Sequence, residues 1–344
     1  MNTKKKILLT LLGIIAISVP LTIYFSMNAN GNGNTNTNDN NQVEEEPEPE
    51  PQVQILDLDD KTRPIAVMID NNVRARPHSG LQDAYLIYEM IVEGGQTRLM
   101  ALFHNKDTEI VGPVRSSRHY FLDYVLENDA IYAHFGGSPK AYDDLRRLNI
   151  ASIDGMTVSG AYYRDSSRRA PHNAYTTMER LNNRIDSVNF REKMSEGHVF
   201  EYSVEEVDLA SREESVESLA PKFQYSSSHR STYTYDEENK VYIRSMNGNL
   251  HMDRETNNAY TFKNIVAIYV QNVALDNQGR QDLRNITTGE GYYISNGHAV
   301  PINYSKSSRS AQTKFTFKDG TPLVINDGNT MVQIFPTGRT IALN

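Results

Sequence analysis

The chain has 344 residues, no cysteine and a formal net charge of -8. That length allows roughly two domains beyond a tail of about fifty residues, and the missing thiols exclude a disulfide framework, a thiolate zinc site and a cysteine nucleophile. Three positive charges at Lys4 to Lys6 and six negative ones between Asp39 and Glu50 leave the body at about -5, without the basic face that nonspecific nucleic-acid binding requires, so no nucleic-acid partner is expected.

Residues 1–27 read as a signal anchor. Ile7 to Met27 is an uncharged, largely apolar stretch behind a lysine cluster, long enough to cross most of a bilayer core with its start in the cytoplasm. A cleaved secretory signal is the alternative, and no A-x-A site follows the apolar stretch. Either reading exports the remainder, giving a single-pass membrane protein with an extracellular body, or a released one. Residues 28–54 are Asn-rich and then Glu/Pro-rich, a composition that cannot bury a core and predicts a disordered spacer.

Residues 55–190 read as a mixed α/β domain. PIAVMID predicts a buried strand ending at Asp70, where an open α/β sheet exposes polar groups. YLIYEMIVE and TRLMALFH predict two strands joined at Gly94-Gly95, with Glu89 and Glu93 on one face and Arg98 across the turn. Gly112-Pro113 then stops the chain, and Arg115, Ser116, Ser117 and Arg118 open a predicted helix through Leu126. AIYAHF, carrying His134, predicts a further strand before a small-residue loop and a helix through Leu148. The polar loop with Arg169, His172 and Asn173 comes next, and Thr176 with Glu179 has capping-box spacing ahead of a third helix.

Residues 191–221 are an acidic, serine-rich connecting segment, and residues 222–344 read as a β-rich antiparallel domain. STYTYD/KVYIRS, GYYIS/HAVPI and KFTFK/TPLVI are hairpin patterns, IVAIYVQNV is a buried strand, and TMVQIFP closes the series. The expected fold is therefore mixed α/β followed by a curved or sandwiched antiparallel sheet.

The charged residues of the first domain lie at strand ends, tight turns and helix starts, where such a body exposes polar groups. Asp70, Glu93, Arg98, Arg115, Arg118 and His172 are expected to converge in one cleft, with Arg169, Asn173, Ser116 and His134 as further ligand contacts. The other reading of the same residues is an ordinary network of surface ion pairs. No G-x-S-x-G, H-E-x-x-H or dinucleotide fingerprint is present, so no metal or cofactor is predicted.

The segments RPIAVMIDN, ARPHSGL, YEMIVEGGQTRLMALF, GPVRSSR, AIYAHFGGSP and APHNAY, with LDNQGR, SSRSAQTKF and GNTMVQIFP more loosely, resemble the YerB-like family of bacterial lipoproteins, whose two halves are domains of unknown function. The resemblance covers nearly all of Thr62 to Pro336. It implies an extracytoplasmic, membrane-attached protein and brings no catalytic assignment. The lipidated cysteine of a lipoprotein is missing here, so attachment falls to the apolar segment.

Three functions follow from these residues. In the first, Arg98, Arg115, Arg118 and Arg169 bind an anionic cell-wall polymer, glycan or peptide. In the second, Glu93 is the general acid or base of an enzyme cleaving peptidoglycan glycan strands, partnered by Glu89 or Asp70. In the third, the protein is a noncatalytic partner of an envelope protein assembly.

Overall fold

A hairpin sits near the middle of the structure because its two strands are apolar on both faces and the turn between them is glycyl. In chain order, β1 is Ile65–Asp70, β2 Leu86–Ile91 and β3 Thr97–Phe103. Every residue of the three is buried, as a strand covered on both sides requires. The computed structural model describes residues 52–277 and 279–344, which belong to one compact unit. The apolar Ile7 to Met27 stretch and most of the predicted spacer lie outside the described residues. Among the described residues no helix is long and apolar enough to cross a membrane.

The main sheet adds β4 (Ile131–His134), β5 (Ser152–Asp154), β6 (Val216–Glu217), β7 (Asn264–Val270), β8 (Thr288–Ser295), β9 (His298–Ser305), β10 (Lys314–Phe317) and β11 (Thr330–Pro336). Its order is β10-β9-β8-β7-β11-β2-β3-β1-β4-β5, with β6 on β9. The expected class holds: a mixed α/β first part is followed by a β-rich second part. The strands of the second part are not wholly antiparallel, because β11 runs parallel to both β7 and β2. Inserted between them, β11 joins the two parts of the chain into one sheet.

Side-chain alternation divides this sheet into two faces. Tyr88 points to the face covered by α1 (Leu122–Glu127), where its hydroxyl donates to Glu127 at 2.8 Å. Glu89 points to the opposite face, against a five-stranded sheet built from Lys222–Ser226, His229–Asp236, Val241–Met246, Asn249–Leu250 and Thr261–Phe262. Two further helices, α2 (Pro139–Arg147) and α3 (Met178–Val188), start at side-chain caps: Ser138 accepts from Ala141 N, and Thr177 from Arg180 N.

Two local expectations are corrected. The helix cap falls on Thr177 rather than Thr176, whose hydroxyl is buried and donates to the Ala161 carbonyl. The predicted helix is present, but it begins only after Arg118, as a 3-10 turn at His119–Phe121 that runs into α1, and leaves Arg115 to Ser117 outside it. They run extended because Arg115 N donates to the Met68 carbonyl, Arg115 O accepts from Phe135 N, and Ser117 N donates to the Gly136 carbonyl.

Candidate functional site: an arginine-lined cleft at the end of the main sheet

Asp70 and Arg98 are directly opposed in the β1–β3 register, so they share the face toward α1. Asp70 N donates to the Pro113 carbonyl and Arg115 N to the Met68 carbonyl, which lays Arg115 beside the end of β1. The 3-10 turn Glu93–Gly95 carries Glu93 toward Arg118. Gly94 and Gly95, at φ of 68° and 69°, take the left-handed backbone that this turn needs. Together these segments line a cleft of about 370 Å³ with Asp70, Asn72, Glu93, Gln96, Thr97, Arg98, Arg115, Arg118, His172 and Arg280.

The charges inside are unevenly paired. Arg118 grips Glu93 with two bonds, Nε to Oε1 at 2.6 Å and Nη2 to Oε2 at 3.0 Å. Burial pushes the Glu93 carboxyl up, but the hydrogen bonds and charge of Arg118 outweigh it and leave the group below its ordinary value. Asp70 Oδ2 lies 3.2 Å from Arg115 Nε and 2.7 Å from His172 Nδ1, while Oδ1 accepts from Asn72 N. Arg98 is only 7% exposed. Its guanidinium donates to the Ser116 carbonyl and has no carboxylate partner among the described residues. Burial, with the neighbouring charges of Arg118 and Arg115, pushes it down to about 10, so it stays a cation at neutral pH.

The six residues expected to converge therefore do share one cleft. The other expected site residues lie elsewhere. Glu89 is fully buried on the opposite face, because β2 ends at Ile91 and the alternation linking Glu89 to Glu93 stops there. Arg244 Nη2 and Ser231 Oγ donate to its Oε2 at 2.6 and 2.9 Å, and Thr97 Oγ1 to its Oε1 at 2.6 Å. Burial raises the Glu89 carboxyl, and the Arg244 charge with these bonds brings it far below its ordinary value. His134 is wholly buried, stacked on Tyr132 with its Nδ1 on the Gly136 carbonyl at 2.9 Å. Ser116 Oγ donates to the Phe135 carbonyl. Asn173 accepts from Arg164 and bonds the Asp165 and Arg168 carbonyls, holding its own loop together. Arg169 is exposed on that loop and does not line the cleft.

In the loop before α2, Gly136 N donates to Asp154 Oδ1 at 2.8 Å. Arg309 is a clamp: it bonds Asp123, Asp144 and the His119 carbonyl. Sequence reasoning did not single out Gln96 or Thr97, and nothing in their surroundings marks them. It also passed over Arg244, whose signal was legible. In KVYIRSM the inward row of a period-two pattern is Tyr242, Arg244 and Met246, all buried.

Behind the cleft wall runs a buried chain of fixed polarity. The Asp70 carbonyl can only accept, so His78 Nε2 donates to it at 2.6 Å. His78 Nδ1 then accepts from His251 Nε2 at 2.5 Å, and His251 Nδ1 accepts from Arg244 Nη1 at 2.6 Å. Both rings are held neutral. Burial pushes His78 down to about 3 and His251 well below its ordinary value.

Residues 54–191 match the N-terminal-domain model described as Protein of unknown function (DUF3048), and residues 221–332 match the C-terminal-domain model. A protein of Bacillus subtilis (strain 168) named "Putative lipoprotein YerB" is 28% identical over 278 residues, covering 80% of this chain and 81% of that one. The crystal structure of YerB protein from Bacillus subtilis aligns with a TM-score of 0.72 at 26% identity, over 82% of this chain and 94% of that one. Asp70 to His172 fall within the first matched region and Arg280 within the second.

Proposed function

Because the chain belongs to the DUF3048 family of proteins of unknown function, carrying its N-terminal and C-terminal domains in order, the activity has to be read from the cleft, and we propose a protein of the bacterial cell envelope that binds an anionic polymer, glycan or peptide there. The observation that carries this reading is Arg98: a nearly buried cation, facing two more arginines, with no carboxylate in ion-pair contact among the described residues. A buried unpaired charge is costly. A phosphate or carboxylate seated against Arg98, Arg115 and Arg118 would supply the missing counter-charge through directed guanidinium bonds. The envelope location is supported by the relative named a lipoprotein and by the lysine cluster before an apolar stretch.

Glu93 fits an acid–base role less well. Its two-bond pairing with Arg118 holds the carboxyl in its ionised form, which suits a group that positions an arginine. The test is equilibrium binding of the full-length protein in detergent to purified anionic wall polymer at two salt concentrations, beside Arg98→Met. Binding that weakens with salt and disappears in the variant is expected. Equal binding by both proteins would overturn the reading.

A further inference from the structure

We infer that the cleft is a hydrolytic site for phosphodiesters in which His172, oriented by Asp70, takes the proton of the attacking water. This rests on the anion-binding reading above and adds chemistry to it.

The geometry of the histidine comes first. His172 Nδ1 lies 2.7 Å from Asp70 Oδ2. A carboxylate oxygen accepts, so Nδ1 carries the hydrogen and Nε2 carries a lone pair. Nε2 has no hydrogen-bond partner among the described residues, and His172 lines the cleft. The aspartate is itself held: it is 4% exposed, with Asn72 N on one oxygen and Arg115 Nε near the other. An imidazole that lines a ligand cleft, is oriented by a buried carboxylate and keeps its second nitrogen unpartnered among the described residues has the arrangement of a general base.

The cations indicate the substrate. Arg280 is paired with Asp276. Among the remaining lining groups, Arg98, Arg115 and Arg118 face Asp70 and Glu93, an excess of one positive charge. That matches a phosphodiester, which carries one negative charge, rather than a doubly charged monoester. The same guanidiniums can hold the charge on the phosphoryl oxygens as the transition state forms. In the reaction, the water oxygen bonds to phosphorus and one water proton passes to His172 Nε2. The phosphorus–oxygen bond to the leaving alcohol breaks. The departing alkoxide takes a proton from solvent, and the imidazolium returns its own to solvent. One water is consumed, and a phosphomonoester and an alcohol are produced without any redox change.

The experiment uses full-length protein with bis(p-nitrophenyl) phosphate as substrate and dimethyl phosphate as a binding probe followed by calorimetry. The wild type is expected to release nitrophenolate. His172→Gln should lower kcat by about 10²- to 10⁴-fold while leaving KM within about threefold and dimethyl phosphate binding intact. Asp70→Asn, at the residue that orients the ring, should lower kcat and shift the acidic limb of the pH–rate profile. Dimethyl phosphate binding without wild-type turnover, or equal turnover by His172→Gln, overturns the catalytic inference and leaves the binding reading standing. No dimethyl phosphate binding by the wild type overturns both.

Discussion

Two buried arginines of this protein predict opposite mutational outcomes. Arg244 is wholly buried but paired with Glu89 at 2.6 Å, so Arg244→Met strands a buried carboxylate and should destabilise the fold by about 3–5 kcal/mol. Arg98 has no such partner and is repelled by Arg115 and Arg118, so Arg98→Met should leave stability unchanged or raised while removing anion binding. Chemical denaturation of both variants decides this: a large loss in Arg98→Met would mark Arg98 as a structural tie. The His78–His251 pair makes a pH prediction. Their values are depressed in the folded state, so below about pH 6.5 the unfolded chain binds protons that the folded one does not. The stability they contribute is full above that pH and is lost as pH falls toward 3. Two such histidines predict a loss of about 3 kcal/mol between pH 6.5 and 5, measurable as a falling denaturant midpoint. A flat profile would mean that the rings are not held neutral.

At the scale of elements, the turn between β2 and β3 sets the geometry of Glu93. Both glycines are left-handed, but a Cβ on Gly94 meets nothing within 4 Å, whereas one on Gly95 would lie 2.7 Å from Ser226 Cβ. Gly94→Ala should therefore cost about 1 kcal/mol in stability with binding retained. Gly95→Ala should cost more and also weaken ligand binding, because relieving the clash moves the turn that presents Glu93 to Arg118; melting curves read beside binding isotherms separate the two. Much at this scale was legible in the sequence, since apolar runs bounded by Asn, Gly and Pro fix where strands begin and end. The β2–β3 hairpin, β1, β4 and the β8–β9 hairpin about Asn296-Gly297 all follow from that pattern. Placing polar groups at the ends of those runs was enough to gather Asp70, Glu93, Arg98, Arg115, Arg118 and His172. The point at which the helix after Arg118 starts is not legible, because the extended form of Arg115 to Ser117 depends on backbone bonds to Met68 and Phe135, which lie far away in sequence. Glu89 and Glu93 part company because the strand alternation ends at Ile91, two residues before Glu93.

At the scale of the molecule, the two parts of the chain are interlocked rather than merely linked. Glu127 pairs with Lys306 at 2.7 Å, both side chains buried, and Asp253 Oδ2 accepts from Gly80 N at 2.8 Å. Arg309 clamps Asp123 and Asp144, and β11 fills the middle of the sheet. Deleting the chain from Thr330 onward should therefore unfold both parts. Hydrogen exchange would show it as loss of protection in β2 and β7 alike, whereas a protected β1–β3 hairpin in the truncated protein would show that the first part stands alone. The position of β11 also has a consequence for synthesis. A chain made from its amino terminus presents β2 and β7 as two unsatisfied sheet edges until Thr330–Pro336 has been made. Open edges of this kind pair readily with other chains. The nascent protein thus needs a holding factor, or quick docking of β11, to keep these two edges from pairing wrongly.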